Sequence, residues 1–206
     1  GRRRLAALMD DLSRQKTPLS SWEMYLFPPV NEDLQLGDVL YREDGQLADP
    51  ASYSIVLTPS CDLVTSGGRT PKVKNVLVAQ CETVIKGIER TSLGNMSPNK
   101  LKGRLSRTVL SQGYFETMIP FPACADKIPE MAANLKDLRL IPLAKIGEEK
   151  GKLKRIASVD SPFRELVAWA YMQVACRPGL PDRDFIGWEE AILNTFPKAN
   201  ESGDKT

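Results

Sequence analysis

Hydrophobic and polar positions change their spacing several times along the chain. Residues 2–14, RRRLAALMDDLSR, set Leu5, Leu8, Met9 and Leu12 on one face at helical spacing. That predicts an N-terminal helix or linker over 1–20, broken by KTPLSS, with an extended segment at Phe27-Pro28-Pro29. From Leu36 the period is that of strands: LGDVLYRED, YSIVLTP, VKNVLVAQCETV, GYFETMIPF and LKDLRLIPLAKI. Val76, Leu77, Val78 and Ala79 form an unbroken apolar run, the signature of a strand buried on both faces. Short strands joined by turns that carry Gly and Pro predict a small, strongly bent antiparallel SH3-like β-barrel over 21–158, in an α+β chain.

Two stretches depart from the strand pattern. TSLGNMSPNKLKGRLSRTVLSQG, residues 91–113, carries Lys100, Lys102, Arg104 and Arg107 and no acid, and reads as a long basic loop. SPFRELVAWAYMQVACRPGLP reads as a helix capped by Ser161, with Pro162 at its first position and Gly179 beyond its end. Phe163, Leu166, Val167, Ala170, Tyr171, Val174 and Ala175 cover one broad face. DFIGWEEAILNTFP predicts a second, shorter helix stopped by Pro197. Residues 159–197 are therefore expected as a C-terminal helical unit of the same domain, and 198–206 as a disordered tail.

Composition narrows the chemistry. The chain has 206 residues, enough to bury a core without metal or disulfide staples. Its 28 Lys plus Arg against 26 Asp plus Glu leave a net charge of +2, so nucleic-acid binding would need a local basic patch. No apolar run approaches the ~20 residues of a bilayer span. Gly1 is read as a cleavage or cloning remnant, or as a cut inside a longer parent. Cys61, Cys81, Cys124 and Cys176 lack the close spacing of a zinc knuckle and are expected as reduced thiols in a cytoplasmic protein. No cofactor and no metal site are expected. The chain contains no histidine, which excludes Ser-His-Asp and Cys-His catalysis and imidazole metal ligation.

The candidate chemistry gathers at strand ends. IVLTPSCDLV leaves an apolar run through Ser60, Cys61 and Asp62. Asp62 beside Cys61 would raise the thiol pKa, so a turn is the economical reading and a Cys61 nucleophile the sharper one. Arg164 sits at the start of the long helix, where the dipole disfavours a cation, so it should have a specific partner: an Asp such as Asp62, or a ligand anion. Glu165 beside it suits that end. The anticipated arrangement is an Asp62–Arg164 contact with Cys61 turned inward. Arg69 and Lys72, flanking Gly67-Gly68, and Lys100, Lys102, Arg104 and Arg107 are the candidate nucleic-acid or anion contacts.

GDVL, VLTPSCDLV, VLVAQC and SPFRELVAWAYMQVACRPGLP together resemble a group of uncharacterised bacterial proteins, across roughly 36–181. These share a Ser/Thr-Cys-Asp-Leu strand end and a Ser-Pro-x-Arg-Glu helix. The Gly-Asp-Val strand and the Pro-interrupted strand after it are also similar to the opening of MazF/PemK-type growth-inhibitor toxins, small SH3-like barrels that cleave RNA. This chain is about twice their length and has Ala51-Ser52-Tyr53 where they carry Arg-Pro.

Three functions are thus expected in turn. The first is a non-catalytic binding or regulatory module of a larger bacterial stress or phage-defence assembly, with a protein partner or upstream domain. The second is a toxin-like, metal-independent ribonuclease or RNA-binding barrel, with Arg69 or Arg104 on phosphate and Asp62 or Glu116 as base. The third is a Cys61-dependent sensor or enzyme.

Overall fold

A computed structural model describes residues 20–147, 152–177 and 183–196. The stretch 2–14, Gly179 and the 198–206 tail lie outside the described residues. The α+β class holds. Seven strands, β1 (Tyr25–Leu26), β2 (Asp38–Arg42), β3 (Tyr53–Val56), β4 (Asn75–Glu82), β5 (Met118–Phe121), β6 (Met131–Pro142) and β7 (Leu153–Val159), form one sheet. Its order is β1-β7-β2-β3-β4-β6-β5 and every described pairing is antiparallel. β1 pairs with β7 and β5 with β6, but the two end strands do not pair with each other, so the sheet is open rather than a closed barrel.

The central strands are covered on both faces, which is why their sequences read as continuous apolar runs. Val39, Ile55 and Ala79 point into the main core, which also holds Phe121, Leu135 and Val167. Leu40, Val56, Val76 and Val78 point the other way, to a second core with Leu63. β7 went unread because Lys154 and Arg155 interrupt LKRIASV, yet it pairs with β2 along Asp38–Arg42 and closes the gap to β1.

Within the expected loop 91–113, residues 91–97 are turns, but the rest is corrected to a helix. After α1 (Val84–Glu89), α2 begins at Pro98, runs to Arg104 and continues through a π-helical turn, Leu105–Leu110. Leu101, Leu105 and Val109, four residues apart, turn inward onto Met118 and Ala132 in a third apolar cluster. The helix ends near Gly113, which has φ +73°, and a Cβ there would lie 2.3 Å from Leu166 Cδ2, so any side chain would be strained and would push Leu166 aside.

α3 (Phe163–Ala175) packs Val167 and Ala170 on the main core. Its N-cap is Pro162 rather than Ser161, and no side chain caps it. Of the expected apolar face, Ala175 is exposed. The described residues 183–196 belong to a second unit, separate from the first, in which α4 (Phe185–Leu193) is capped by Asp184 through Gly187 N (2.9 Å). Among the described residues, no helix is long and apolar enough to cross a membrane.

Candidate functional site

Two features stand out, and they share α3. The first is a polar hub around loop 31–38. Asp38 enters β2 with its side chain fully buried between two apolar neighbourhoods. Its Oδ2 accepts from Gln35 N (2.7 Å) and from Arg155 Nη1 (3.3 Å), and its Oδ1 accepts from the Ser158 hydroxyl. Burial pushes the Asp38 carboxyl up, against the pull of Ser158, the Gln35 amide and Arg155. Arg155 spends its other donors on backbone: Nη1 to Asp33 O (2.5 Å), and Nη2 to Glu32 O (3.2 Å) and Asn31 O. With its guanidinium so occupied, it clamps a loop and offers little to a ligand anion.

The same loop reaches the other elements. Asp33 Oδ1 accepts from Thr65 Oγ1 (2.6 Å), Thr65 N (2.8 Å) and Ser66 N (3.0 Å). The Ser66 and Thr65 hydroxyls and amides hold its carboxyl well below the usual range. Leu36 N donates to Ser60 Oγ (3.0 Å), and Gln35 Oε1 accepts from both Asn31 Nδ2 and Arg164 Nη1, each at 3.0 Å. Gln35 Nε2 is buried without a hydrogen-bond partner among the described residues.

The anticipated Asp62–Arg164 contact is not formed. Arg164 instead donates from Nε to Val159 O (3.1 Å), bonds Gln35, and stands 3.9 Å from Asp160. Its need for a specific partner was legible, but the partner was not. Asp62 lies in the short turn Ser60–Asp62 and pairs with Lys72 at 3.2 Å, while the exposed Lys72 also donates its backbone N–H to Asp62 O. Cys61 is exposed, not turned inward, with Sγ 3.6 Å from Asp62 Oδ1. Of the trio, Ser60 is the residue that joins the hub. Glu165 and Arg69 are exposed.

The second feature is an apolar groove of about 510 Å³. Its walls are α2 with the π turn (Leu105, Val109, Leu110), the end of β5 (Phe121) and α3 (Phe163, Leu166). Ser20, Ser21 and Met24 also line it, and among the described residues Glu130 is its one acidic lining residue. Leu110 is 57% exposed although it lines the groove. Trp169, on α3, is half exposed and meets Tyr114 edge-on at 5.1 Å.

The basic residues fall into two places. Lys100, Lys102, Arg104 and Arg107 are exposed on the helix that walls the groove, and among the described residues none is ion-paired. Lys72 pairs with Asp62, next to Leu63 of the second core, while Arg69 is exposed and makes no ion pair among the described residues. Glu116 accepts from Ser92 N (3.1 Å). Among the described residues no group of three His, Cys, Asp or Glu could hold a metal ion.

Sequence reasoning did not single out Asp38, Gln35, Arg155 or Ser158. A carboxylate opening the apolar strand DVLY and an arginine inside LKRIASV were the available signals. Comparison with protein-family models, with curated proteins and with solved structures gives no match.

Proposed function

We propose that this chain is a non-catalytic protein-binding module of a larger assembly, and that the groove between α2, β5 and α3 takes an amphipathic helix. What supports this reading is an open apolar groove together with Lys100, Lys102, Arg104 and Arg107, exposed elsewhere on the helix that contributes Leu105, Val109 and Leu110 to it and not ion-paired among the described residues. A helix with an apolar stripe and acidic flanks would match both features. A strand is the poorer ligand. Met118 already exchanges backbone bonds with Phe115, and Pro120 and Pro122 have no N–H to offer along that edge. The reading does not depend on an SH3-like barrel.

The groove also separates this reading from the toxin-like one. A ribonuclease built on Asp62 would want the basic residues gathered around that carboxylate. Asp62 instead pairs with Lys72, while Lys100, Lys102, Arg104 and Arg107 lie on a different element, the α2 helix.

The test is selection of a random peptide library on the full chain. Amphipathic peptides with acidic flanks should be enriched, and capture should fall at least tenfold with Leu110→Glu, an exposed position that leaves the core intact. In parallel, single-stranded RNA is tested by gel shift at low and moderate salt. RNA retention lost in Lys102→Ala/Arg104→Ala, without peptide capture, would replace the protein-binding reading with an RNA-binding one.

A further inference from the structure

We propose that two copies of this chain join edge to edge through β6, antiparallel, so that their sheets run on as one. This goes beyond the groove reading and does not rest on it. β5 pairs only with Met131–Asn134, and Thr117 O takes Leu135 N (2.9 Å). From Leu138 to Pro142, β6 is paired with β4 alone among the described residues.

The register shows which backbone groups are left over. Leu77 spends both of its own on the β3 side, its N–H on Thr58 Oγ1 (2.7 Å) and its carbonyl on Leu57 N (2.8 Å). Leu140, opposite Leu77, therefore sits in a pair without ladder bonds and turns its N–H and carbonyl outward. By the same alternation Leu138 and Pro142 face outward, while Arg139 and Ile141 face β4. Leu143 N, which donates to Lys74 O (2.9 Å), keeps that parity. Pro142 fits it too, since the N–H it lacks would have pointed away from β4. Leu138 and Leu140 share one face of the strand and are 38% and 68% exposed. Open backbone groups beside exposed leucines are what an added strand requires.

A second copy supplies the strand that fits. About a two-fold axis at Leu140, each Leu140 exchanges both bonds with its counterpart. Each Leu138 N–H then meets the Pro142 carbonyl of the other copy, so the end of the edge that lacks a donor needs none. The two Leu140 side chains stand opposite each other, and each Leu138 stands against Pro142. On the other face Arg139 lies across from Ile141 rather than from a second Arg139, and it keeps its own Asp137 (3.3 Å). The far end of the sheet offers no such edge. β1 is two residues long and is followed by Phe27, Pro28 and Pro29, and Leu153 O of β7 is taken by Gly147 N (3.1 Å). The contact is thus isologous and closes at two copies.

Sedimentation velocity of the full chain at rising concentration should show a monomer–dimer equilibrium. Leu140→Pro removes an outward donor without touching a bond to β4. Leu140→Lys places two like charges across the axis, at a position exposed enough to leave the core intact. Each should weaken the dimer at least tenfold, with circular dichroism confirming the fold; if the proline variant does not fold, the lysine variant decides. Hydrogen exchange reads the register. The Leu138 and Leu140 amides should exchange slowly in the dimer and at least tenfold faster on dilution, while those of Arg139 and Ile141 stay protected throughout. A chain that remains monomeric at every concentration would overturn the proposal, as would a dimer that survives the lysine. So would Leu138 and Leu140 amides that stay protected on dilution, which would mean that the edge is covered within one chain.

Discussion

Replacing Arg155 by Leu tests whether the 31–38 loop is held by a buried charge. The substitution removes four contacts at once: one to the Asp38 carboxylate and three to the carbonyls of Asn31, Glu32 and Asp33. Arg155 is 18% exposed and Asp38 fully buried, so the pair is poorly screened. Removing one partner of such a pair costs about 3–5 kcal/mol, because the other is left charged in a low dielectric. For a chain of this size that corresponds to a fall in Tm of roughly 6–20 °C. The pH dependence carries the sharper signature. Asp38 is already pushed up by burial, and losing Arg155 pushes it further, since the guanidinium favours the charged form. A carboxyl raised on folding stabilises the protein below its unfolded pKa of about 4, and that contribution is lost as pH rises through the folded value. The deficit of Arg155→Leu should therefore be widest near neutral pH and shrink as the solution is acidified. Asp38→Asn added to Arg155→Leu should recover part of the loss, with a coupling of about 1–3 kcal/mol. Thermal and urea unfolding followed by circular dichroism from pH 4 to 8 measures all of this. A Leu variant whose melting curve parallels wild type at every pH, or two substitutions that simply add, would refute the buried-clamp account.

Three further outcomes follow from the same geometry. Asp33 is held low by the hydroxyls and amides of Ser66 and Thr65, so its contribution is present above the ordinary Asp range and lost as pH falls; Asp33→Ala should flatten the acid limb of the stability profile, the opposite sign to Asp38. Asp62→Ala should cost less than about 1 kcal/mol, since its partner Lys72 is solvent-exposed, and a loss of several kcal/mol in urea unfolding would mean that Asp62 serves the core after all. In native protein, iodoacetamide should label Cys61 and Cys176 and spare Cys81 and Cys124 until denaturant is added; mass mapping of early Cys81 adducts would contradict its burial and its raised thiol pKa.

Strand identity was legible where one face or both faces met a core: DVLY, YSIV and NVLVAQCE could be read from apolar runs alone. β7 was hidden because its first half carries Lys154 and Arg155, whose partners Glu43 and Asp33 lie far off in sequence. The α2 helix was hidden by composition. Its lysines, arginines and glycine look like a loop, and only the four-residue step from Leu101 to Leu105 to Val109 betrays the inward face. Barrel closure could not be read, because whether β1 and β5 meet depends on the accumulated bend of the sheet rather than on any local signal. The hub illustrates the same limit. That Arg164 needed a partner followed from its place at a helix start, but that the partner would be Gln35 and the Val159 carbonyl depends on how β2 and β7 align. The groove belongs to no single motif, since its walls come from three elements far apart in sequence.

Hub and groove are joined by α3, and this suggests that one sets the shape of the other. Arg164 fixes the start of the helix to Val159 O and Gln35, and Leu166, two residues on, lines the groove. The Arg164 stem passes close to Gly37, where a Cβ would stand 3.2 Å from Arg164 Cγ and 3.3 Å from Val159 Cβ. Gly37 also has φ +81°, while its N–H donates to Val56 O and its carbonyl accepts from Val159 N. Gly37→Ala must therefore meet the left-handed penalty of about 1–2 kcal/mol and displace the Arg164 stem by a few tenths of an ångström. If the helix moves with its anchor, amide chemical shifts should change at Leu166 and Val167 as well as at residues 35–39, and peptide capture should weaken. Shift changes that stop at Arg164, with capture unchanged in a destabilised protein, would show that the anchor holds the helix without shaping the groove.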